Sequence, residues 1–160
     1  MKSTSMQRPT GLPTTAASST QTEDGRVVSV IFEDLKADSS IRDSAPSVES
    51  KVMNFAIPLA EGSQKFVRVQ ARGFRAVAGL HSWALALVWI NGQRMRIPSN
   101  QASLSESWYA AALVNVQGKT ELRVSVTLLA QRDMSEQSSA AQCALDSLDF
   151  EAIDGKDKRL

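Results

Sequence analysis

The sequence predicts an all-β chain folded as an antiparallel β-sandwich of jelly-roll-like character, and three observations carry that prediction. Apolar runs of strand length recur along the chain, each bounded by Gly, Pro, Ser or Asp. An Asn91-Gly92 pair separates the apolar run Trp83–Ile90 from the alternating segment Gln93–Ile97. Both residues accept the positive φ of a two-residue type I′ turn, whose twist suits paired strands. Finally, Leu122, Val124, Val126 and Leu128 alternate with Glu121, Arg123, Ser125 and Thr127, the two-residue period of a half-buried strand. Parallel α/β architecture needs helical crossovers, and no segment has the period to supply them.

Taken in order, residues 1–24 form a Ser/Thr-rich segment with little to bury, expected to be a disordered tail. A β-sandwich domain follows at 25–154, and a charged tail at 155–160. Val27–Phe32 reads as a first strand, and Asp38–Ser50 as a polar loop punctuated by Pro46. Val52–Leu59 places Phe55 and Ile57 on one face, Asn54 and Ala56 on the other. Pro58 confines this strand to a sheet edge or ends it. After a turn at Glu61–Ser63, Lys65–Phe74 alternates Val67, Val69 and Ala71 against Phe66, Arg68, Gln70 and Arg72. Gly73 and Gly79 are expected to bracket a flexible connection into the Trp83 hairpin. Ser99–Ser107 reads as a polar loop, and Trp108–Val116 with Thr120–Leu129 as a second hairpin around Gly118. Gln131–Ala141 is a polar stretch with room for a short helix, and Cys143–Ile153 closes the sandwich.

Folding at Asn91-Gly92 sets Trp89 opposite Arg94, Val88 opposite Met95 and Leu87 opposite Arg96. Side chains alternate across a strand, so Ala84, Ala86, Val88, Ile90, Met95 and Ile97 share a core face. The opposite face carries Trp83, Leu85, Leu87 and Trp89 with Arg94 and Arg96, apolar yet edged with charge. Arg68 and Arg72 share one face of another strand. Indole rings stack on sugars or bases, and guanidinium groups form paired hydrogen bonds to carboxylates or phosphates. These residues, together with Trp108, are the candidate contacts for a ligand or partner. The competing account is burial, because arginine stems also cover apolar surface while their heads stay wet.

Size and charge bound the alternatives. A chain of 160 residues is one domain and buries roughly two-thirds of its unfolded surface without a staple. A net charge of +1 argues against a nucleic-acid-coating protein. No run approaches the ~20 apolar residues of a membrane span. With no secretory signal in view, a cytoplasmic location is the default expectation. The one cysteine, Cys143, reads as a small buried hydrophobe, and the one histidine, His81, as a loop residue. Neither sits in a nucleophile elbow or a zinc-ligand spacing, so no catalytic residue, metal or cofactor is assigned. Glu33-Asp34 and Asp146/Asp149 read as solvated surface acids.

The order of features also resembles a known group. A strand at Lys65–Ala71 is followed by the apolar Trp83–Ile90 strand, then Ser107-Trp108, a Gly-containing hairpin, and the closing segment Ala144-Leu145-Asp146-Ser147-Leu148-Asp149-Phe150. Over the latter two-thirds of the chain this is similar to the galactose-binding-like jelly rolls, particularly carbohydrate-binding modules. Of the structural calcium site frequent in those modules, only Asp146 has a counterpart here. The resemblance implies a non-catalytic β-sandwich binding module that recognises carbohydrate through its aromatic/Arg face. Two alternatives stay open. One is a structural subunit of a larger assembly, a homo-oligomer included, that uses this face against protein. The other is a glycan-active enzyme or accessory domain.

Overall fold

The computed structural model describes residues 5–13, 16–39, 48–60, 65–97, 105–135 and 137–153. Its strands are β1 (Ala17–Gln21), β2 (Val27–Phe32), β3 (Lys36–Ser39), β4 (Val48–Pro58), β5 (Phe66–Ala78), β6 (Trp83–Ile90), β7 (Gln93–Arg94), β8 (Ser105–Asn115), β9 (Glu121–Gln131) and β10 (Ala140–Ile153). No helix occurs among the described residues. All the pairings are antiparallel: a larger sheet in the order β1-β2-β10-β5-β8, with β3 also on β10, and a smaller sheet β4-β9-β6-β7. β2 and β3 lie end to end along β10, parted where Asp34 takes φ 59°. Counted as one interrupted strand, and with β1 as an addition, they complete the strand order of a jelly roll.

Alternation explains why the two sheets meet. Val67, Val69 and Ala71 of β5, Leu122, Val124 and Val126 of β9, and Val88 and Ile90 of β6 all point inward and are buried. Phe55 bridges the sheets, its ring 6.3 Å from Phe32 and 6.3 Å from Phe150, edge-on to the latter. The hairpin forms as its sequence dictates. Asn91 and Gly92 take φ of 50° and 80°, Trp89 pairs with Arg94, and the Met95 amide donates to the Val88 carbonyl at 2.8 Å. Ala84, Ala86, Val88, Ile90 and Met95 are buried as expected, with Ile97 packed against them.

Several sequence expectations are corrected. The described part of the amino-terminal segment is packed rather than a free tail. β1 pairs with β2, and Met6 is 1% exposed within the core cluster. Single bridges join Met6 to Leu59 and Thr10 to Ala56, so this segment runs along β4, the edge strand of the smaller sheet. Low complexity hid this, because Ser and Thr supply backbone pairing where they supply little apolar surface. Both ends of the loop expected at Asp38–Ser50 are strand instead, Asp38 and Ser39 belonging to β3 and Val48 opening β4. Ser105–Ser107 likewise lie in β8. The turn at 61–63 and the tail at 155–160 fall outside the described residues.

Gly73 is the instructive departure. It interrupts nothing: β5 runs through it to Ala78, and its register partner on β8 is Trp108. A methyl group added at Gly73 would overlap the Trp108 indole and the Ala144 carbonyl oxygen. The glycine is there to make room for a ring, at a φ any residue adopts. Gly92 is the converse, with positive φ and open space, nothing lying within 4 Å of where a methyl would sit. Gly73→Ala should therefore cost more than Gly92→Ala, about 3 kcal/mol or more from overlap against about 1 kcal/mol from backbone strain. Equal melting temperatures for the two variants would refute this account. Deleting residues 1–24 should lower the melting temperature as well. Met6→Ala alone should cost about 2–5 kcal/mol, and each kcal/mol moves Tm by about 2–4 °C for a domain of this size. An unchanged melting curve for the truncated chain would show that the packed segment contributes nothing.

Candidate functional site on the outer face of the smaller sheet

Register arranges the outward side chains of β4, β9 and β6 in rows. Val48, Gln131 and Trp83 form one, Ser50, Leu129 and Leu85 the next, then Val52, Thr127 and Leu87, then Asn54, Ser125 and Trp89. Arg94 of β7 extends the last row beyond Trp89. More than half of these outward positions are apolar or aromatic, on a face that a soluble sandwich ordinarily leaves polar. Val52 is 60% exposed, Val48 43% and Trp83 39%, whereas Trp89, Leu85 and Leu87 are half-buried.

At the Trp89 end the face becomes concave. Asn54, Ala56 and Ser125 are short, and they leave a groove of about 810 Å³ beside the indole. One bank is the amino-terminal segment at Thr10-Gly11. It is held there by the Thr10 amide donating to the Ala56 carbonyl at 2.7 Å and the Ala56 amide donating back at 2.9 Å. The far end is the hairpin tip. Asn91 does more than turn the chain: its Oδ1 accepts from the Arg123 amide at 2.7 Å and its Nδ2 donates to the Glu121 carbonyl at 3.3 Å. The tip is thereby tied to β9, which steadies the position of Trp89. A second hollow of about 460 Å³, lined by Asn91, Lys119 and Thr120, shares Gly92, Glu121 and Arg123 with the first. Arg123 Nε donates to Glu121 Oε1 at 2.6 Å on the boundary between them.

The residues singled out in the sequence do not form one surface. Trp83, Trp89 and Arg94 share the outer face just described, with Arg96 exposed beyond the end of β7. Arg68 and Arg72 lie on the outer face of the other sheet, because β5 and β6 belong to different layers. There Arg68 pairs with Glu151 at 3.2 Å, and Arg72 pairs with Asp149 at 2.9 Å while its guanidinium lies 5.5 Å from the Tyr109 ring. Trp108 is corrected as a contact residue: it is 6% exposed and points into the core over Gly73. Sequence reasoning missed Thr10, Asn54, Ser125, Glu121 and Arg123 as groove residues. The alternation of β4 and β9 carried a signal for the four strand positions, but the neighbours they meet depend on which strands pair.

His81, Asp133 and Cys143 do not line the groove. His81 is exposed in the turn from β5 to β6, at the other end of β6 from the groove. The Asp133 carboxylate accepts from the Ser135 hydroxyl at 2.6 Å and its amide at 3.0 Å, which, with the His81 backbone amide, holds its pKa below the usual carboxylate value. The Asp133 amide in turn donates to Ser82 Oγ at 2.8 Å. These bonds fasten the β9–β10 connection to the β5–β6 turn. Cys143 is buried, and its thiol is pushed up to about 12, chiefly by burial. Asp146 sits at the register shift of β10 opposite β5. Among the described residues no group of three or more His, Cys, Asp or Glu is placed to hold a metal ion.

No protein-family model matches the chain, and comparison with curated proteins gives no match. Among solved structures it is similar to part of the GH31 alpha-xylosidase from Xanthomonas citri, with a TM-score of 0.34 and 10% sequence identity over 96% of this chain. The match takes in 20% of that enzyme's chain, so this protein spans about a fifth of its length. A likeness of that strength carries no argument about activity.

Proposed function

We propose that the protein is a non-catalytic β-sandwich binding module whose ligand is a carbohydrate lying in the Trp89 groove. The observation that carries this reading is the make-up of this shallow, open groove. A half-buried indole stands beside short polar side chains, Asn54 and Ser125, on a rigid sheet, with Arg123 and Glu121 at the far side. A sugar ring offers one apolar C–H face to stack and a rim of hydroxyls to hydrogen-bond, which matches that division. Positions on strands also hold such groups more firmly than loops do. The non-catalytic part of the reading rests on the carboxylates. Glycoside hydrolysis uses two facing acids, and Glu121, already paired with Arg123, is the one carboxylate among the described residues lining the groove.

A second reading has its own observation. Val52, Val48 and Trp83 continue the apolar face beyond the groove at 60%, 43% and 39% exposure, a composition suited to a protein interface in an assembly. Retention on immobilised glycans, with melting measured on the same variants, separates the two. Under the carbohydrate reading Trp89→Ala should weaken retention roughly 30-fold, the effect of losing ~2 kcal/mol from an aromatic anchor, while Val52→Glu should leave it intact. If Val52→Glu instead alters the native mass and no glycan is retained, the interface reading replaces the carbohydrate one.

A further inference from the structure

The distribution of charge around the groove says more about its ligand. On the larger sheet the arginines are matched: Arg68 with Glu151, Arg72 with Asp149, and Arg75, which is buried, with Glu106. The groove end of the smaller sheet is different. Arg94, the cross-strand neighbour of Trp89, is exposed and forms no ion pair among the described residues. Lys119, which lines the second hollow, is likewise exposed and unpaired among them. Arg123 joins the two hollows with its side chain 81% exposed, and it gives only Nε to Glu121. A guanidinium has five N–H donors, so its terminal nitrogens stay open to a ligand. Taken together, the two hollows are lined by two cations, Arg123 and Lys119, against one carboxylate, Glu121, which is already paired with Arg123, while Arg94 adds a third cation beside Trp89 outside the lining.

We propose that the groove selects an acidic glycan, its sugar ring stacked on Trp89 and a carboxylate or sulfate substituent held in the adjoining hollow by Arg123 and Lys119. The inference rests on the carbohydrate reading above and narrows it to a ligand class. Planar guanidinium suits an oxyanion through paired hydrogen bonds, and ammonium adds a compact charge. Neutral glycans would leave these cations without a partner, and a flat apolar protein surface would have to desolvate them.

Calorimetric titration of the full chain tests this with four probes: oligogalacturonate, sulfated galactan oligosaccharide (sulfate without carboxylate), neutral xylo-oligosaccharide and single-stranded oligonucleotide. The expected result is binding of one or both acidic oligosaccharides, weakening as salt rises because screening shortens with ionic strength. Binding of the first alone identifies carboxylate, and of the second alone sulfate. Arg123→Gln and Lys119→Gln should each weaken that binding roughly tenfold, the scale of a lost charge-assisted hydrogen bond, without moving the melting temperature, since both side chains are exposed. Trp89→Ala should weaken it roughly 30-fold, as for retention above. Equal binding of the neutral oligosaccharide, indifferent to Arg123→Gln, would overturn the acidic-ligand inference and leave the carbohydrate reading standing. No binding of any oligosaccharide would overturn both. Oligonucleotide binding as strong as that of the acidic sugars, or acidic binding unchanged by Trp89→Ala, would also overturn it, the groove then being a general anion surface.

Discussion

The arrangement of the site depends on the pairing of β9 between β4 and β6. Leu122, Val124, Val126, Leu128 and Ala130 must face the core, which sends Arg123, Ser125, Thr127 and Leu129 outward. A slip of one residue would exchange the two sets, so the buried row makes that register strongly preferred. Antiparallel pairing on each side then places Asn54 and Trp89 against Ser125. The groove is a by-product of this constraint: a short side chain on the middle strand, another on one neighbour, and an indole on the other. Asn91, hydrogen-bonded to Arg123 and Glu121, locks the same register at the hairpin tip.

The edges of the smaller sheet show how the site is finished. β4 lies at one edge and carries Pro58 at its end, where a missing N–H donor costs no ladder bond. The amino-terminal segment covers part of that edge through bonds at Thr10 and Gln7, a common way of shielding a strand that would otherwise offer unpaired backbone groups. In doing so it raises the bank of the groove. Edge protection and the shape of the groove thus share residues, and Met6 anchors both by burying its side chain in the core.

The two outer faces follow different electrostatic rules. On the larger sheet, arginines meet carboxylates directly across strands or diagonally, and Arg72 also stacks near Tyr109. Such exposed pairs contribute little to stability, typically less than about 1 kcal/mol each, but they match Arg68 and Arg72 with carboxylates of the same face. The smaller sheet keeps an apolar centre and, at one end, Arg94 and Lys119, which form no ion pair among the described residues.

The sequence alone determined the class of fold, most strand positions, the Asn91-Gly92 turn and the inward set on β6 and β9. Each rests on local physics: a two-residue period, or backbone angles that only certain residues accept. It also assigned Trp83, Trp89 and Arg94 to a common face, because a two-residue hairpin sets its own register. Tertiary structure decided what meets that face. Arg68 and Arg72 went to the opposite layer, and Trp108 turned inward over Gly73, a glycine whose role is legible only with the indole in place. The amino-terminal segment, featureless in composition, became a strand and an edge cover through backbone bonds that no side-chain pattern announces. The groove itself joins residues from positions 10, 54, 89, 123 and 125. Which distant strands pair is settled by the burial of the whole core, so those neighbours were beyond the reach of any local reading.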